Sequence, residues 1–197
     1  MTVDERCPWC GTDPGYVHYH DTVWGRPEFD PLALFEKLCL DGQQAGLSWL
    51  VILRKQASYR EAFEGFDPER IVTFDEARIA RLLTNPGIVR NRLKVTSIIK
   101  NARGYLALRD RGVDFTEFLW SFVGGEPVQN HWRSIGEVPT QTPASEALSR
   151  ALRKEGFNFV GPTIVYAFMQ ATGMVNDHLV TCPQHAECKA EHRPLPD

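Results

Sequence analysis

The chain has no apolar run approaching the roughly eighteen residues that a membrane span needs. Its first ten residues, MTVDERCPWC, carry neither the basic nor the apolar region of a signal peptide, so a cytoplasmic location is expected. It also lacks a surplus of positive charge: 22 Lys and Arg stand against 25 Asp and Glu, a formal net charge of −3. That excludes nucleic-acid binding through overall charge and leaves a local patch as the electrostatic route to DNA. Internal repeats and low-complexity segments are absent. The five cysteines are an odd number. In an intracellular chain of this size they point to metal ligation or buried thiols before disulfides.

What is present is mostly helix signal, over 197 residues, enough for one domain with a substantial core. Residues 1–29 read as an irregular segment. Trp9, Tyr16, Tyr19 and Trp24 crowd there with His18, His20 and two cysteines, a composition that linkers lack. The segment either lines something or straps the core. Asp30-Pro31 is an N-cap followed by Pro at the first helical position, with helical spacing to about Leu40. The run LDGQQAGLSW, residues 40–49, places an acid, two amides and two glycines between apolar helices. It is either a solvated turn or a buried polar cluster needing partners or a ligand. Trp49 near the acid suits a planar cationic ligand.

A helix is expected from Trp49 to Phe63, short helices start at Asp67-Pro68 and Asp75, and Val95, Ile98, Ile99, Ala102 and Leu106 mark a long helix ending near Gly112. Between Arg90 and Arg111 lie seven basic residues and a single acid, Asp110. Such a run is either the wet face of a helix or a surface for phosphates. A short aromatic helix is expected over residues 114–123, a long surface loop over 124–142 and another helix from Ser145 to Lys154.

The stretch Phe157–Cys182 organises the rest. Phe159-Val160-Gly161-Pro162 makes a turn between helices, and a helix over Thr163–Thr172 follows, with Ile164, Ala167, Phe168 and Ala171 on its buried side and Gly173 as the stop. Asn176-Asp177-His178 comes next. Two helices joined by a Gly-containing turn and followed by a polar segment can hold a DNA phosphate on backbone N–H groups. His178-x3-Cys182 is half of a zinc site if the backbone there is helical. Cys7-x2-Cys10, favoured by local spacing, or Cys7 with His20 would supply the other half, and the tail adds His185, Cys188 and His192. Two Cys and two His would close the coordination sphere, which fits a structural zinc and disfavours a zinc hydrolase.

The segments CPWCGTDPGYVHYHDTVWG, LDGQQAGLSW, NPGIVRNRLKV, FLWSFV and GFNFVGPTIVYAFMQATGMVNDH, with the closing cysteine, resemble the bacterial 3-methyladenine DNA glycosylase I family over nearly the whole chain and in the family's order. The resemblance implies an all-α, helix-hairpin-helix glycosylase fold. It implies one domain over residues 1–197, two helical lobes with the base pocket between them, and a structural Zn2+ joining residues 1–29 to 174–197. The implied zinc ligands are Cys7, His20, His178 and Cys182, which sets Cys10, His185 and Cys188 aside. The implied base pocket is Tyr16, Tyr19, Trp49 and the acid at position 41, where the family's pattern has Glu and this chain has Asp41.

The implied activity is release of 3-methyladenine from double-stranded DNA by a monomeric enzyme. The DNA contacts expected are Gly161, Pro162 and Thr163 at the hairpin and Arg90, Arg92 and Lys94 beside it. Thr163 stands about where bifunctional relatives carry an attacking Lys, so no strand cleavage is expected. Asn176 stands where many relatives have a catalytic Asp, with Asp177 one step on. The rival reading is a zinc-stabilised helical module that binds DNA or protein without catalysis.

Overall fold

The computed structural model describes residues 6–191 and 193–195, so His192 lies outside the described residues. Several helices begin where Asp meets Pro: α1 (Pro14–Thr22), α2 (Pro31–Gln44) and α5 (Pro68–Ile71). In each the Asp side chain accepts a backbone N–H of the first turn, and Pro lacks the N–H that would otherwise go unpaired. The same capping starts α6 (Glu76–Thr84) at Asp75, α7 (Arg92–Asp110) at Asn91, α8 (Phe115–Trp120) at Asp114 and α9 (Pro143–Lys154) at Thr142. Each cap contributes about 1 kcal/mol. The remaining helices are α3 (Trp49–Leu53), α4 (Gln56–Ala62), α10 (Pro162–Ala171) and α11 (Pro183–Ala190).

The core is built around α2, whose Leu34, Phe35, Leu38 and Leu40 are fully buried and which packs on α7 and α10. Trp120 completes it, with its indole N–H donating to Glu28 O at 3.0 Å. α9 and α10 pack on one another across the connection formed by residues 155–161. No helix among the described residues is long and apolar enough to cross a membrane.

Several expectations are corrected. Residues 1–29 are not irregular throughout, because the Asp13 cap and Pro14 start α1 inside them. α2 does not stop near Leu40 but carries Asp41, Gly42, Gln43 and Gln44. Gly42 serves close approach rather than termination: a Cβ there would lie 3.0 Å from Phe159 Cβ and 3.2 Å from Phe159 O. The expected helix from Trp49 to Phe63 is broken between α3 and α4, where Lys55 Nζ donates to Pro86 O at 2.6 Å.

Residues 124–142 are more than a surface excursion. They contain β1 (Val128–Gln129), which pairs in parallel with β2 (Val175–Asn176) in the register Val128 to Val175 and Gln129 to Asn176. Residues 178–182 form a turn, closed by Cys182 N–H to Leu179 O at 2.8 Å, and not the helix that the His-x3-Cys spacing presupposed.

Gly173, after α10, has φ +70°, and a Cβ there would sit 2.4 Å from the backbone carbon of Arg26. Left-handed strain and a backbone clash then add. Gly173→Ala is expected to cost about 3 kcal/mol in urea unfolding, and a loss below about 1 kcal/mol would contradict the tight crossing.

Candidate active site and metal centre

α1 presents Tyr16 and Tyr19 one turn apart, with ring centroids 6.4 Å apart and planes 27° apart. Asp13 fixes that helix, capping it through Tyr16 N–H and accepting Arg54 Nη2 at 2.6 Å from the end of α3. Trp49, at the start of α3, therefore faces α1, its ring 5.6 Å from that of Tyr19. These rings and α2 enclose a cavity of about 230 Å³, into which Asp41 and Lys37 also project.

Asp41 is 3% exposed. Its Oδ1 accepts Lys37 Nζ from one turn earlier on α2, whereas no described residue donates to Oδ2. Trp49 Nε1 is likewise buried without a partner. Unpaired buried polar atoms cost about 1–3 kcal/mol each, and two of them in one cavity mark it as built for a ligand with polar edges. Burial pushes the Asp41 carboxyl up and the Lys37 ammonium down, each opposed by the other's charge. The two side chains meet as an ion pair one turn apart on α2. Lys37 Nζ lies 3.9 Å from the centroid of the Trp49 ring, a cation on a π face.

The far wall of the cavity includes Asp177, which is 2% exposed. Its Oδ1 accepts from Asn130 Nδ2 (2.6 Å) and Trp132 Nε1 (2.8 Å), and its Oδ2 from Tyr166 OH (2.6 Å) and Gln170 Nε2 (2.9 Å). These donors fill the lone-pair sites of the carboxylate. They tie α10 to the 124–142 segment. Asn176 is turned away, its amide donating to Gln129 Oε1 and His185 O.

Behind this wall the donor atoms of Cys7, His20, His178 and Cys182 lie within 4.8 Å of one another, all on buried residues. Cys7 Sγ is 3.6 Å from His178 Nδ1, and Cys182 Sγ is 3.7 Å from both His20 Nε2 and His178 Nδ1. Such separations suit a tetrahedral metal with bonds of about 2.0–2.3 Å to N and S. The other imidazole nitrogens are engaged, His20 Nδ1 with Asp21 Oδ1 (2.7 Å) and His178 Nε2 with Trp24 O (3.0 Å), which aims Nε2 of one and Nδ1 of the other inward. Leu179 N–H donates to Cys7 Sγ at 3.4 Å. The Cys182 thiol is held well below the usual thiol range, first by its hydrogen bond with Cys7 and then, against burial, by His178 and His20. The four residues can hold a metal ion.

A family model described as methyladenine glycosylase matches residues 9–185. The chain belongs to that family. It is 51% identical to a DNA-3-methyladenine glycosylase of Haemophilus influenzae over 178 residues, 90% of this chain and 96% of that protein. A crystal structure of a 3-methyladenine DNA glycosylase I superposes with a TM-score of 0.89 at 52% identity, covering 90% of this chain and 98% of that one. A second, of a variant in complex with 3-methyladenine, gives 0.89 at 40% identity over 92% and 97%.

Within this family member, Tyr16, Tyr19, Asp41 and Trp49 come together at one cavity, and Cys7, His20, His178 and Cys182 at one cluster. Cys10 stands outside the cluster, its Sγ donating to Cys7 O at 3.2 Å. His185 is engaged with Asn130 O (2.8 Å), and Cys188 is buried on α11. Lys94 departs from the expected phosphate surface: it is 8% exposed, and its Nζ donates to Gln43 O (2.8 Å) and Ala45 O (2.7 Å), capping the end of α2. Arg90 is exposed, and Arg92 is exposed and paired with Glu76. Gly161 caps α10, with Pro162 and Thr163 in its first turn.

The amides of the 40–49 run divide. Gln43 is satisfied inside the protein by Lys94 O (3.0 Å) and Tyr59 OH (3.3 Å), leaving the acid to face the cavity. Sequence reasoning missed Lys37 and the donors around Asp177. The i,i+4 spacing of Lys37 and Asp41 was the available signal.

Proposed function

We propose that this chain is a DNA-3-methyladenine glycosylase, a hydrolase that cleaves the N-glycosidic bond of 3-methyladenine in alkylated DNA and releases the free base. The observation that carries the reading is Asp41 Oδ2, a buried carboxylate oxygen with no donor among the described residues, inside an aromatic cavity, in a chain half identical to proteins of that name. N3-methylation makes the purine cationic. Tyr16, Tyr19 and Trp49 sandwich its flipped ring, and Asp41 Oδ2 accepts from its exocyclic amine. The bond from the sugar carbon to N9 breaks with its electron pair going to the base. The base leaves neutral, the sugar carbon takes up the positive charge, and water adds there with loss of a proton. Little acid–base help is required, in keeping with an Asp177 carboxylate already saturated by four donors.

In this reading the chain is one glycosylase domain of two lobes, acting as a cytoplasmic monomer. α9, residues 155–161 and α10 form the helix-hairpin-helix, whose backbone at Gly161 and Thr163 takes a DNA phosphate with Pro162 presetting the turn, while the exposed Arg90 and Arg92 make phosphate contacts of their own. Lys94 is left out of that set. Zinc is the metal that the two Cys and two His suit. Cys7, His20, His178 and Cys182 would hold it, and it would supply a closed, structural cross-link between residues 1–29 and 174–197. The residue in the slot of the attacking Lys is Thr163, so the enzyme is monofunctional.

Chromatography of duplex DNA carrying N3-methyladenine should show free base appearing while the strand stays intact. Absence of released base would contradict the glycosylase, and nicking coupled to release would contradict monofunctional action.

A further inference from the structure

Lys37 is a partly buried cation, its side chain 15% exposed, that the reaction above does not use. It lies where a cationic base would have to act, since its ammonium takes Asp41 Oδ1 and lies 3.9 Å from the Trp49 ring centroid. Those two contacts, a carboxylate and a π face, are the same pair that would recognise a methylated purine cation. The side chain also has somewhere else to go. Lys37 and Ala171 line both the base cavity and an adjoining cavity of about 260 Å³. That second cavity is lined by Glu36, whose carboxylate accepts Gln56 Nε2 at 2.8 Å and pairs with Arg60. The second cavity is lined by Arg26 and Arg60 as well as by Glu28 and Glu36, and a rotation of the four-carbon arm about its own torsions is the motion that would carry the ammonium there.

We propose that Lys37 is a specificity-determining competitor built into the base pocket: its ammonium offsets the Asp41 charge from Oδ1 and covers the face of Trp49 until a cationic base, taking Oδ2 and that face, displaces it into the adjoining cavity, and it returns when the base becomes neutral. The inference rests on the glycosylase reading and deepens it. An uncharged purine offers Asp41 only a hydrogen bond and cannot replace the ammonium's charge, so normal bases are rejected by exchange as well as by shape. The positively charged lesion replaces charge with charge. When the glycosidic bond breaks, its electron pair discharges the base and the positive charge passes to the sugar. The neutral product then holds Asp41 less strongly than Lys37 does, and Lys37 expels it. One side chain thereby acts at selection and at release.

The test is inhibition by free 3-methyladenine together with its direct titration by tryptophan fluorescence. Lys37→Met and Lys37→Gln remove the competitor, and both the inhibition constant and KM for methylated DNA should fall about tenfold, with steady-state turnover dropping below the single-turnover rate. Lys37→Arg keeps a cation and should stay within about threefold of the native protein in the inhibition constant. A merely structural lysine would weaken base binding on removal. Unchanged or weaker binding in whichever of the Met and Gln variants is folded would overturn the proposal. If the native protein releases no base from methylated DNA, the glycosylase reading falls. The titration needs no catalysis and still decides whether Lys37 competes for the pocket.

Discussion

Asp41→Ala is expected to lower kcat/KM for release of 3-methyladenine by at least about a hundredfold. The side chain supplies one hydrogen bond to a charged partner, about 1.5–3 kcal/mol, and a Coulombic attraction for the lesion in a site removed from water. Each 1.4 kcal/mol is a factor of ten, so the two together exceed two decades. The same change strands Lys37 without its counter-charge, and some stability goes with it. Thermal unfolding separates that loss from the catalytic one. Asp41→Glu restores the charge on an arm one methylene longer and should retain release within about tenfold of the native rate. A loss below tenfold in the Ala variant, in a folded protein, would remove Asp41 from base recognition.

Under the proposed zinc assignment, loss of the metal should have the largest effect on stability. Cys182→Ser, or treatment with a strong chelator, is expected to cost at least about 4 kcal/mol and to lower the melting temperature by roughly 10 °C, because structural zinc contributes its binding energy to folding and a chain of this size loses about 2–4 °C per kcal/mol. Cys10→Ser alters a thiol that donates to backbone oxygens, Cys7 O at 3.2 Å and Gly11 O at 3.9 Å, and it should keep one equivalent of zinc. Metal content by mass spectrometry decides the matter. A native protein without zinc, or a Cys182→Ser protein that retains the full equivalent, would refute the assignment.

Much of the helical framework was legible because it is written in local chemistry. Asp13-Pro14, Asp30-Pro31 and Asp67-Pro68 each satisfy and shape a first turn without help from distant residues. What escaped depends on distant partners. Gly42 reads as one of two glycines in a run between helices, yet its reason is the close approach of Phe159, more than a hundred residues away. Stopping α2 at Leu40 also hid the Lys37–Asp41 pair, since the two share a face only if the helix continues. Lys94 was read with the basic run of α7, although it lies on the inward side with Ser97, Ile98 and Asn101. A charge count cannot tell an inward lysine from an outward one; the neighbours at helical spacing can. The β1–β2 pair is two residues long on each side, too short to leave a period in the sequence. Crowding marks residues 1–29 as a segment that either lines something or straps the core, whereas the choice of Tyr16, Tyr19 and Trp49 for the pocket, like the ligand set of the metal cluster, came from the family resemblance and not from spacing.

A metal held by Cys7, His20, His178 and Cys182, as proposed, would also set an order of events during synthesis. Translation delivers the first pair early and the second pair on the order of ten seconds or more later at ordinary elongation rates. Until then the aromatic segment bearing Tyr16 and Tyr19 has no anchor at its far side, while α2 to α8 can already collapse around their own apolar residues. The pocket is thus finished from the outside in, and a nascent chain halted before His178 carries most of the core but neither the anchor nor a closed binding site.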